Sequence, residues 1–179
     1  NLVCADLQGT RTGTATFEAS EFTVSHPFSV RTVDKNKKSA WHSTINAAIA
    51  AASAGDVIEI GPGTYAENVT VNKAVTLKGV GNRADVVITA SAATTVSITA
   101  NATKLENLTI NHTGSGGSYY AVQVSGSGVT ATIQNCAINT SDAAGYAVRL
   151  ASSGVGNFTE CAISGTGGGL IVPNLSGAN

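Results

Sequence analysis

The chain has 179 residues, one domain's worth of core. Only 12% of them are charged and 5% aromatic, 20 are glycine, and ten Lys and Arg against eleven Asp and Glu leave a net charge of -1. That balance supplies no basic field for nucleic acid or an anionic membrane, and no apolar run reaches the roughly 18–20 residues of a bilayer span. Hydrophobic content of 42% excludes a wholly disordered chain, which leaves a β-rich, small-residue protein.

In chain order, residues 1–28 come first, with alternating runs at Thr14-Ala15-Thr16-Phe17 and Phe22-Thr23-Val24. They predict a separate β arm or hairpin, with Cys4, Phe17, Phe22 and Val24 as candidate assembly residues. The start has neither Met nor a hydrophobic leader, which predicts an export signal already removed by processing or by a cut. Residues 29–179 form the second unit. Within it, Thr44–Ala52 is Ala-rich with Ile45 and Ile49 on one face, predicting a capping helix at about 43–53, N-capped by Ser43 or Thr44 and stopped by Gly55.

Beyond the helix the sequence repeats. Leu105–Asn111, Ile133–Asn139 and Phe158–Ser164 align without gaps, starting 28 and then 25 residues apart. A second series, Val96–Ile98, Val122–Val124, Val148–Leu150 and Leu170–Val172, recurs at 26, 26 and 22 residues. A shared period of about 25 residues points to stacked parallel coils rather than a sandwich, whose strands recur without a long repeat. Asn107 and Asn135 then fall at one corner of successive coils, where an Asn tolerates left-handed geometry and satisfies backbone groups left by the bend; Glu160 breaks that ladder. Gly-rich tracts at 114–118, 125–128 and 165–169 are the variable corners. The last stretch, 169–179, stops right after its strand with no polar cap, so an end left open for a partner (Leu175 being a candidate contact) and a truncation are both consistent with it.

The segment Ser29–Asp34 followed by Ser43–Asn82, with GPGTYAENVTV as its most specific piece, resembles the amino-terminal coils of pectin methylesterases and the wider pectin-lyase-like proteins. The resemblance covers roughly residues 29–172. It implies an all-β fold, a single-stranded right-handed parallel β-helix of about 4–6 coils. Carried over one residue at a time, the family's stabilising Gln falls on Tyr120, its acid/base Asp on Ala143 and its nucleophilic Asp on Gly168. Asp142 is adjacent to the second position, but a one-residue slip turns a strand side chain to the other face. With neither carboxylate of an acid/base pair in place, the expectation is a protein that is not an enzyme.

Other chemistries find little support. Glu106 and Glu160 sit in different phases of the repeat, which disfavours a paired-carboxylate glycosidase. His26, His42 and His112 lack metal-ligand spacing and read as surface or corner residues, and neither metal nor cofactor is expected. Cys136 and Cys161 hold equivalent interior positions about 4.8 Å apart, close enough for a disulfide, although reduced stacking is favoured; Cys4 is left over. Seven N-x-[ST] sequons suit a glycosylated exterior and suit Asn-x-Thr turn chemistry equally. The sequence therefore predicts a non-catalytic structural subunit of an extracellular, cell-surface or virion-surface assembly (a filament, fibre, tail or capsid decoration). Its partners would be itself or neighbouring subunits, with no nucleic acid and no membrane span. The alternative is a carbohydrate-binding or polysaccharide-processing module, with Tyr119 and Tyr120 as candidate glycan contacts.

Overall fold

A computed structural model describes residues 30–35, 42–116 and 119–171. The arm at 1–28, with Cys4, Phe17, Phe22 and Val24, lies outside the described residues, as do His26, Leu175 and the sequon at Asn174.

The chain winds through five coils of three short strands each. Strand β1 (Val30–Val33) and helix α1 (Ile45–Ala51) precede the first coil. The coils are β2 (Val57–Ile60), β3 (Gly63–Ala66) and β4 (Val69–Val71); β5 (Thr76–Gly79), β6 (Val86–Ala90) and β7 (Val96–Ile98); β8 (Thr103–Glu106), β9 (Thr109–His112) and β10 (Val122–Ser125); β11 (Thr130–Gln134), β12 (Ala137–Thr140) and β13 (Val148–Ala151); β14 (Val155–Thr159), β15 (Ala162–Gly165) and β16 (Leu170–Ile171). Each strand pairs in parallel with its counterparts one coil away, giving three sheets ordered β1-β2-β5-β8-β11-β14, β3-β6-β9-β12-β15 and β4-β7-β10-β13-β16. This is the parallel β-helix the repeat predicts, and the series Val96, Val122, Val148 and Leu170 stacks in the register its spacing implies.

Alternation fills the interior. Ile58, Leu77, Leu105, Ile133 and Phe158 align on the first sheet, and Tyr65, Ile88, Ile110, Ile138 and Ile163 on the second. Members in coils one to four are buried, while Phe158, Ile163 and Cys161 of the fifth coil are only partly buried. Each fully buried aliphatic contributes about 1.5–3 kcal/mol, so every inner coil adds a comparable increment.

The helix covers the first coil, burying Ile45, Ala48 and Ile49. Seven residues cannot sustain a helix alone, and this one is clamped at both ends. Thr44 Oγ1 accepts from the Ala47 N–H, while the Glu67 carboxylate accepts from the Ile45 and Asn46 N–H groups at 2.8 and 3.1 Å. At the other end the Lys73 ammonium donates to the Ala50 and Ala52 carbonyls, both at 2.7 Å. Acid at the N-terminus and base at the C-terminus complement the helix dipole. The helix ends at Ala52, ahead of Gly55, whose φ of 92° serves the following turn.

The predicted corner is present. Asn107 (φ 57°), Asn135 (φ 49°) and Glu160 (φ 56°) all adopt left-handed geometry between the first and second sheets. Asn107 Nδ2 donates to the Gly79 and Gly81 carbonyls at 2.9 and 2.8 Å, and Asn135 Nδ2 donates to Asn107 Oδ1 at 2.9 Å. A Cβ at Gly79 would run into the Asn107 carbonyl, so the close approach requires glycine. From the short 3-10 turn Arg83–Asp85, Arg83 Nη1 reaches Asn135 Oδ1 at 3.2 Å and the Glu160 carbonyl at 3.5 Å.

Candidate functional site

The connections from the second sheet to the third stack on one another in consecutive coils. Thr95 N–H donates to the Tyr120 carbonyl, Val122 N–H to Ala147, and Ala147 N–H to Gly168. This ladder gathers Tyr119, Tyr120, Ala143, Tyr146, Arg149 and Gly168 at the head of the third sheet, including the three positions where the resemblance would place catalytic side chains.

Tyr119 is 41% exposed and Tyr120 only 8%. The buried ring has a role there: Arg149 Cζ lies 5.2 Å from its centroid, and Arg149 Nη1 donates to the Tyr120 hydroxyl at 3.3 Å. Among the described residues Arg149 makes this one side-chain hydrogen bond, which fixes one N–H of its fork. Ala143 is exposed. Gly168 has φ 149°, and a Cβ there would stand 2.6 Å from Tyr146 Cε1, so Tyr146 fills the space a side chain would need. Asp142 is 3% exposed, and its Oδ1 accepts from the Ala144 N–H at 3.0 Å, an Asx turn that holds its own loop.

One sequence expectation is overturned. His112 is an interior residue, 1% exposed, and not at the surface. It follows Ile110 by two on β9, so alternation points it inward. Its ring centroid is 6.2 Å from that of Tyr119, and neither ring nitrogen has a hydrogen-bond partner among the described residues. Among the described residues no group of three His, Cys, Asp or Glu could hold a metal ion. Cys136 and Cys161 are free thiols stacked in adjacent coils, and burial pushes the Cys136 thiol up to about 12. Arg149 and Tyr146 escaped the sequence reading, although Arg149 is the single charged residue within the repeated third-sheet series.

No family model matches the sequence, and no curated protein matches it. Among solved structures the chain is similar to YbhC of Escherichia coli, at 17% identity over 86% of this chain and 60% of that one, with a TM-score of 0.50. It is also similar to the pectin methylesterase of carrot (20% identity, 72% and 52% coverage, TM-score 0.47). A third match is a pectin methylesterase in complex with a hexasaccharide (20% identity, 68% and 55% coverage, TM-score 0.46). The chain thus spans 52–60% of the length of these structures. At such identities the likeness bears on fold alone: the five coils are a parallel β-helix. No described helix is long and apolar enough to cross a membrane.

Proposed function

We propose that this chain is an extracellular carbohydrate-binding β-helix module that holds an acidic polysaccharide across the stacked loops at the head of the third sheet without de-esterifying it. The carrying observation is Arg149, stacked on and hydrogen-bonded to Tyr120, whose chain neighbour Tyr119 has an exposed ring. A guanidinium fork matches a uronate carboxylate, and an exposed ring offers a face for a sugar. The similarity to a pectin methylesterase bound to a hexasaccharide supports this class of ligand. The non-catalytic part rests on Tyr120, Ala143 and Gly168, on Tyr146 filling the space at Gly168, and on Asp142 being turned into its own loop.

Affinity electrophoresis on polygalacturonate tests it. The protein is expected to be retarded, with Tyr119→Ala and Arg149→Ala each weakening binding about tenfold, roughly 1.4 kcal/mol. Methanol release from pectin is expected to stay at background. Turnover abolished by Asp142→Asn would reinstate an esterase.

A second reading, a structural subunit of an extracellular or virion assembly, is favoured by the partly buried Leu150, Phe158, Cys161 and Ile163. Sedimentation velocity separates the two readings, because assembly requires concentration-dependent self-association that Phe158→Ser removes.

A further inference from the structure

We infer that Asn101 and Asn157 are the N-glycan acceptors among the described sequons when the chain passes through a secretory pathway carrying an oligosaccharyltransferase. The structure sorts the six described sequons by what each amide already does. Asn107 Nδ2 commits both its hydrogens, to the Gly79 and Gly81 carbonyls, and Asn68 Nδ2 commits both to Ala93 and Thr94. Asn139 Nδ2 donates to Asn111 Oδ1 at 2.9 Å, and Asn139 Oδ1 accepts from Ser164 Oγ at 2.7 Å, so the two half-buried central-strand amides are locked into one ladder. A glycan on Asn68 or Asn107 would replace an N–H that a corner uses, and one on Asn111 or Asn139 would have to fit on a half-buried side chain of the central sheet, where the two amides are neighbours in register.

Asn101 and Asn157 are different. Both are exposed. Asn101 uses only its Oδ1, which accepts from the Thr130 N–H at 3.0 Å and survives glycosylation unchanged. Asn157 projects outward from β14 and has no protein hydrogen-bond partner among the described residues. The reaction joins the Asn amide nitrogen to C1 of a lipid-pyrophosphate-linked oligosaccharide. The new N–C1 bond forms as the C1–O bond to pyrophosphate breaks, the amide proton passes to a base of the transferase, and the lipid pyrophosphate leaves.

The test is secretion of the full chain, carrying Asn174→Gln, from a eukaryotic host behind an added signal peptide. Intact mass and glycopeptide mapping are expected to find two glycans. Asn101→Gln and Asn157→Gln should each remove one, and the double variant should leave the bare mass with an unchanged circular dichroism spectrum. A secreted chain with no glycan, or folded protein carrying glycans at Asn68, Asn107, Asn111 or Asn139, would overturn the assignment.

Discussion

Asn135 shows how much one side chain can organise. Its amide donates to Asn107 Oδ1 while its own oxygen receives Arg83, and its backbone holds φ 49°. Leu could supply neither bond and would resist that φ. Asn135→Leu is expected to cost about 1–3 kcal/mol in denaturant unfolding; a loss under about 0.5 kcal/mol would mean the corner does not depend on it. Cys136 gives a pH dependence with a definite sign. Burial raises its thiol from 9.0 to about 12 and also raises Tyr65, so folding favours both protonated forms. Stability from these groups is complete below pH 9 and declines as pH climbs through 9 toward about 12. Melting temperature recorded from pH 8 to 11 should fall, and Cys136→Ala should fall less steeply over that range.

Among elements, the helix depends most on residues outside itself. Glu67 lies in the bend between β3 and β4, and Lys73 between β4 and β5, so one coil supplies both ends of the clamp. Glu67→Ala strips two helix N–H groups of their acceptor, and Lys73→Met strips two carbonyls of their donor. Each is expected to lower stability by about 1–2 kcal/mol, with the effect of Glu67→Ala appearing as faster amide exchange at Ile45 and Asn46. The helix itself was legible from its Ala-rich amphipathic run, whereas the clamp was not. Its partners lie some twenty residues downstream (Ile45 to Glu67 is 22) and carry no local signature. Asn107 and Asn135 were legible for the opposite reason, recurring at one phase of a repeat. His112 is interior by its parity on β9, a signal that residue type alone does not carry. Arg149 is harder to single out, because the repeat marks the inward positions and Arg149 is one of the outward ones between them.

For the whole molecule, register explains the lopsided distribution of charge. Along the outer face of the first sheet, Glu59, Lys78 and Glu106 are successive neighbours, while the ten outward positions of the second sheet carry no ionisable group. The third sheet places Arg149 on its outer face, in register with Gln123. The fold therefore presents three walls of different character, and among the described residues it is the wall bearing Arg149 that sets a cation over an aromatic ring, that of Tyr120.

A stack whose layers touch only the layers above and below would behave under tension like a pile of coins, parting at whichever gap is weakest. Arg83 changes that mechanics. It leaves the second coil, passes the third, and grips the fourth and fifth through Asn135 and the Glu160 carbonyl. A pull along the axis on the last coil is thereby shared with a layer three steps away. The far end should yield in one larger step rather than peel off by single turns, and Arg83→Ala should return it to turn-by-turn peeling.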